Sequence, residues 1–242
     1  MLPVAAPRRR PTPTKATGWA HGVSVCVPVG PGEDAWRGLL EDLRPLREAG
    51  GRVTCGGLGP RPEGLPEGVE WIAVPRANRA GQLNAAARAA DGDTLWFLHA
   101  DSRLSPAALR AAAERGRTLG RAVGYLRLAF AADGPPLTRL NGWAANLRSR
   151  RFGMPFGDQG LMVPRPLWEE LGGFDESAPY GEGHLFVWAA RRAGATPVEL
   201  PAAVVTSARK YRNHGWACTT ATHLRLTVWQ AVPQWWAWVR GR

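Results

Sequence analysis

The apolar run Leu95-Trp96-Phe97-Leu98 passes through His99 and Ala100 into a lone acid, Asp101, followed by Ser102-Arg103-Leu104. In open parallel sheets ligands bind beyond the carboxyl ends of the strands. A carboxylate emerging there can hold a divalent cation against a phosphate-bearing substrate. The same segment also reads as a strand and a turn, with Asp101 capping a helix over 106–115. Other polar clusters punctuate the chain. Asn78-Arg79-Ala80-Gly81-Gln82-Leu83-Asn84 opens an alanine-rich helix whose N-terminus suits an anion. Asp158 and Gln159 follow Gly153-Met154-Pro155-Phe156-Gly157, a glycine- and proline-broken approach that presents polar side chains at a loop. Arg209, Lys210 and Arg212 share a segment with His214. Guanidinium forks match diphosphate oxygens, and a solvated basic loop is the alternative reading.

The elements that must position these groups alternate in type. Val23-Ser24-Val25-Cys26-Val27-Pro28-Val29 is β-branched and ends at proline and glycine, which predicts a buried first strand. A helix over 34–49 follows, with Leu39, Leu40, Leu43 and Leu46 at helical spacing. Strands are predicted over 52–56 and 69–74, separated by a Gly/Pro-rich loop, and a helix over 80–90 leads to the strand before His99. Strands alternating with helices argue for an α/β fold built on a parallel sheet flanked by helices. Residues 122–130 alternate better and predict an antiparallel or edge strand. Beyond them the pattern predicts helices over 136–151, 166–171 and 184–193, strands over 160–163 and 198–205, and a tail that is helical as far as Pro233.

The 242 residues suffice for one large α/β domain with a short tail. Lys and Arg number 31 against 20 Asp and Glu, a formal net charge of +11. That balance favours nucleotide diphosphates, anionic lipid surfaces or nucleic acid as partners. No nucleic-acid-binding module accompanies the charge, which disfavours the last. Cys26, Cys55 and Cys218 fit neither a disulfide framework nor a zinc spacing, and point to a reducing cytoplasm. Residues 1–22, with Pro3, Pro7, Pro11 and Pro13 around Arg8-Arg9-Arg10 and no apolar signal core, read as a disordered basic arm. No uninterrupted apolar stretch reaches the roughly 18 residues of a membrane span. In the tail, 217–242, Trp229, Trp235, Trp236 and Trp238 accompany Arg240 and Arg242. This is a membrane-interface pattern that would bring the protein to the inner face of the membrane. Packing of the rings on the domain, or a homodimer contact, accounts for them equally well.

Asn78 to Ala87, His99-Ala100-Asp101, Gly157-Asp158-Gln159-Gly160, Leu171-Gly172-Gly173-Phe174-Asp175-Glu176 and Tyr211 to Gly215, taken in this order, resemble family 2 glycosyltransferases of the GT-A fold over residues 23–232. The likeness is greatest to small bacterial enzymes with His-Ala-Asp in place of Asp-x-Asp, a subgroup often labelled arsenosugar-type glycosyltransferases. The resemblance implies a GT-A domain over 23–216, a Rossmann-like, mostly parallel central sheet flanked by helices. It implies metal-dependent, inverting transfer of a sugar from a nucleotide-diphosphate sugar to a small or lipid-linked acceptor. Asp101 then holds the metal with support from His99 and His214, and the imidazoles lean towards Mn²⁺ over Mg²⁺. The donor would meet Pro28, Cys55, Arg79, Asn84, His99, Ala100 and Asp101, with Arg209, Lys210 and Arg212 on its diphosphate. Asp158 and Gln159 would contact the sugar or the acceptor, and the Leu-Gly-Gly-Phe-Asp-Glu marker would be structural.

Three positions depart from the family pattern. The acid that ends the second strand in relatives is Cys55 here, a weak hydrogen-bond acceptor. Pro-x-x-Asn-Glu becomes Pro28-Val29-Gly30-Pro31-Gly32-Glu33, and the acid that serves relatives as acceptor base falls on Gly183. Glu182 is the natural replacement as base, with His184 and Asp158 as further candidates, unless Glu182 or His184 instead caps the following helix. A chain altered in this way is also compatible with a catalytically silent GT-A domain that binds a nucleotide, a lipid or a protein.

Overall fold

Strand β1 (Val23–Val29) is buried at every position, as a β-branched run covered by helices on both faces must be. The computed structural model, which describes residues 18–240, places it in a seven-stranded sheet. Residues 1–17 of the expected arm, and Arg242 of the tail, lie outside the described residues. Residues 18–22 form a turn in which Ala20 is fully buried.

Leu39, Leu40, Leu43 and Leu46 all enter the core. The single helix expected over 34–49 is nevertheless two, α1 (Trp36–Asp42) and α2 (Arg44–Glu48). Pro45 has no amide hydrogen to continue the ladder, and its ring crowds the carbonyl one turn back. β2 (Arg52–Leu58), β3 (Val69–Val74) and α3 (Arg79–Ala89) follow. The side chain of Asn78 caps α3 by accepting from the Gly81 amide at 2.9 Å. β4 (Thr94–Phe97) then runs towards His99. α4 (Pro106–Gly116) takes its cap from Ser105 and not from Asp101, which leaves the acid available to the site.

The second half comprises β5 (Ala122–Phe130), α5 (Thr138–Phe152), a 3-10 turn at Gly157–Gln159, β6 (Met162–Pro164), α6 (Arg165–Glu170), α7 (Glu182–Arg192) and β7 (Thr196–Thr206). Two helices finish the described chain, α8 (Arg209–His214), where a basic loop was the alternative reading, and α9 (Trp216–Arg240). α9 runs on past Pro233, where the tail's helix was expected to stop. Pro233 lies on the solvent side, where water can satisfy the carbonyl that loses its donor.

The strand order is β3-β2-β1-β4-β6-β5-β7. β3, β2, β1 and β4 are mutually parallel, β6 is antiparallel to β4 and β5, and β7 is parallel to β5. Of the two arrangements that the alternation of 122–130 suggests, β5 takes the antiparallel one, against β6; it is interior, because β7 pairs along its length and takes the edge. Two cores fill the faces, one around Leu39, Leu40, Leu109 and Leu126, the other around Leu83, Leu95, Phe97 and Phe186. From β1 the chain builds outwards to β3 on one side and then crosses to β4 on the other. The crevice beyond the carboxyl ends of β1 and β4 is thus a topological switch point, the place where such sheets bind ligands. Among the described residues no helix is long and apolar enough to cross a membrane.

Candidate functional site

His99 stands just past the end of β4, and four charged side chains act on it: Arg79 from the first turn of α3, Asp158 from the 3-10 turn, Asp101 two residues on, and Glu182 from the first turn of α7. Burial pushes the imidazole below its ordinary pKa and Arg79 pushes the same way, against the three acids. His99 is thereby held in the neutral form that can accept a proton or a metal bond. Arg79 pairs with Glu182 at 3.5 Å. Asp101 accepts from the Thr206 hydroxyl at 3.1 Å, which ties it to the carboxyl end of β7.

The metal set expected of Asp101, His99 and His214 is not assembled. Among the described residues no three His, Cys, Asp or Glu side chains converge on a common point, and His214 is exposed at the end of α8. Asp101 keeps one oxygen with no hydrogen bond among the described residues, which fits an ion shared with a ligand's phosphates but not a cage made of protein alone.

Gly183, where the resemblance would place an acid, stands at a close packing contact. A Cβ there would lie 2.9 Å from both Cα and N of Gly157, so the start of α7 and the 3-10 turn meet backbone to backbone. A Cβ on Gly157 would in turn lie 3.1 Å from Nε2 of His99. Neither neighbour of Gly183 caps α7: Gly181 holds the N-cap, with φ of 69°, and no side chain bonds there. Glu182 is buried against Arg79.

His184 does not suit the base's role given to it as a candidate. It is buried, Trp188 donates to its Nε2 at 3.0 Å, and the ring of Phe156 stands edge-on 4.5 Å away. Burial, reinforced by Arg148, pushes its pKa down to about 3, so it takes no proton near neutrality. Gln159 is likewise withdrawn from any acceptor. Its carbonyl oxygen accepts from Ser149 (2.7 Å), the Phe156 amide (3.2 Å) and Arg148 (3.3 Å), while its amide donates to the Leu126 carbonyl at 3.1 Å. Asn84 is engaged in the same way, bonding both the amide and the carbonyl of Phe174 and the carboxylate of Glu176. It thereby fixes the Leu171 to Glu176 marker, where Gly172 and Gly173 take positive φ after α6. Cys55 packs wholly in the core, its thiol pushed up to about 12 by burial, and offers no sulfur to a nucleobase. Pro28 is buried opposite Gly56 in β1, and Ala100 is also buried.

Asp158 differs from Gln159 and Asn84: its Oδ1 is buried with no hydrogen-bond partner among the described residues, as is Nδ1 of His184, and its charge reaches His99, Arg148, Tyr211 and His223. The Tyr211 hydroxyl lies 3.2 Å from Nδ1 of His223, and Lys210 lies 3.0 Å from the other ring nitrogen. Arg209 donates to Ser207 at 3.0 Å, and Arg212 is exposed. Thr206, His223 and Arg148 belong to the site without having been read from the sequence, and Tyr211 was read only as part of the Tyr211 to Gly215 motif, with no role of its own. Thr206 shares the signal that exposes Asp101, a polar residue at a strand's carboxyl end; His223 and Arg148 carry none.

No family model matches the chain, and no curated protein matches it either. Solved structures do. The crystal structure of S. aureus TarS 1-349 in complex with UDP-GlcNAc shares the fold with a TM-score of 0.57 at 16% identity, over 76% of this chain and 58% of that one. The structure titled S. aureus TarS 1-349 gives 0.55 at 15%, over 77% and 58%, and that of S. aureus TarS gives 0.54 at 18%, over 77% and 35%. The chain thus spans a little over half of the first two and about a third of the last. A GT-A-type α/β fold, with its mostly parallel seven-stranded sheet between helices, is what the likeness shows.

Proposed function

We propose that the protein is a glycosyltransferase that moves a sugar from a nucleotide-diphosphate sugar to an acceptor hydroxyl, of the small bacterial family 2 type with His-Ala-Asp. The observation that carries this reading is the charged surrounding of His99, with Asp101, Asp158, Glu182 and Arg79 all within electrostatic reach of it, at the switch point of a fold shared with a protein solved with UDP-GlcNAc. Arg79, at the N-terminus of α3, and the exposed Arg209 and Arg212 supply positive charge for the donor's diphosphate. Mn²⁺ or Mg²⁺, when held by Asp101 together with that diphosphate, would neutralise charge on the leaving group.

Asp158 is favoured over Glu182 as the acceptor base. Its unpartnered oxygen is free to take a proton, whereas Glu182 is paired with Arg79. The acceptor oxygen attacks the anomeric carbon and gives its proton to Asp158, and the bond to the phosphate oxygen breaks with its electron pair leaving on the diphosphate. A single displacement inverts the anomeric centre. Retention in the product anomer would overturn this step. Donor binding is tested by thermal shift with a panel of nucleotide diphosphates and nucleotide sugars, with and without Mn²⁺, in the wild type and Asp101→Ala. A Mn²⁺-dependent stabilisation that the variant loses is the expected result, and no shift with any nucleotide overturns the donor reading. Binding without turnover over a broad acceptor panel would make the domain a catalytically silent binder.

A further inference from the structure

α9 packs on the domain by one side only. Gln230 donates to the Tyr180 carbonyl at 2.8 Å, Arg192 donates to Gln234 at 2.6 Å, and Ala231 is buried. The opposite side is apolar and open to solvent: Leu224, Val228, Trp229, Val232, Trp235 and Trp236 are between 46% and 66% exposed. At about 3.6 residues per turn they sweep an arc of roughly 140°. α5 is joined to the start of α9, where Asn141 bonds Trp216 and Thr220 at 2.7 and 3.0 Å. It carries its own outward row, Leu140, Trp143 and Leu147, at 55%, 65% and 38% exposure. Farther along, Phe152 of α5 and Val232 and Trp235 of α9 line one cavity of about 420 Å³.

The charge beside these rows is mainly positive. Arg139 and Arg151 of α5 and Arg225 and Arg240 of α9 are exposed, Arg150 is paired with Glu199 and Arg148 is turned inward to Gln159, and after Glu199 the chain contains no acid at all. A second copy of the chain would bring cationic faces together, so self-association is disfavoured by the same charge. Exposed tryptophans beside arginines on a helix too polar to cross a bilayer suit the headgroup region of a membrane with negative lipids. We propose that the protein docks on an anionic lipid surface through the apolar rows of α5 and α9, lying in the plane of the interface. The docking stands apart from the sugar-transfer reading, since none of the residues named on these rows belongs to the switch-point site.

The full chain is tested by co-sedimentation with phosphatidylcholine vesicles with and without phosphatidylglycerol, at low and raised salt, alongside light scattering for oligomeric state. The expected result is binding only to vesicles with the anionic lipid, weakened by salt and reduced about tenfold or more in Trp143→Gln combined with Trp236→Gln, with the melting temperature of the variant unchanged. Two further variants, Leu224→Gln and Trp229→Gln, report the same rows should the first pair fail to fold. Absence of binding to either vesicle, equal binding by wild type and folded variants, or a stable dimer that these substitutions dissolve would each overturn the proposal.

Discussion

A buried carboxylate oxygen without a donor, as on Asp158, is a costly arrangement in a low-dielectric interior unless a ligand completes it. Asp158→Asn is expected to lower kcat by about 10²–10⁴ while leaving donor affinity nearly intact. Glu182→Gln should act mainly on donor affinity through Arg79, and steady-state kinetics separate the two. His184 makes a different prediction. Its folded pKa, about 3, lies below the value of about 6.5 expected when unfolded. Below that upper value the unfolded chain binds a proton that the folded one refuses, so stability falls as pH drops from about 6.5 towards 3. Urea unfolding across this window should show a component of roughly 1 kcal/mol per pH unit that His184→Gln removes. At this scale the sequence was only partly legible. Asp101 could be read because its strand position is local. Gln159, Asn84 and His184 are polar residues in the right motifs, but their hydrogen bonds go to Ser149, Phe174 and Trp188 inside the fold. Of these only the Trp188 bond joins neighbouring turns of one helix, and nothing in residue type marks it.

Elements were legible where their signals were local. The boundaries of β1, β3 and β5 follow directly from β-branched runs and their alternation, and Asn78 announces the start of α3. Pro45 and Pro233 show why proline alone does not settle a boundary. The first ends one buried helix and starts another, while the second rides on the exposed side of a helix that continues. The place of β5 was not legible, because β7, which covers it, arrives some seventy residues later. Asn84 makes the buried bonds that hold the Leu171 to Glu176 loop to α3, with Asn78 and Arg88 adding exposed contacts to Glu176. Asn84→Ala removes two buried hydrogen bonds and one partly buried one, and is expected to cost about 2 kcal/mol in chemical denaturation. Because that side chain has no free polar atom to offer a ligand, nucleotide affinity should change little once the variant is folded.

The whole molecule combines a switch-point site with two outward apolar rows, and its positive charge is concentrated in the segments that carry both. α9 connects them: His223 on that helix contacts Lys210 and Tyr211, and Tyr211 senses Asp158. One side chain of the tail, His223, thus stands beside the residues that border the site. The contact of Gly157 with Gly183 makes position 183 a gauge of how firmly the 3-10 turn is held. A side chain there would need volume that the backbone of the turn already fills, so even a single methyl group at 183 has to displace the turn, and with it the Asp158 that the turn carries.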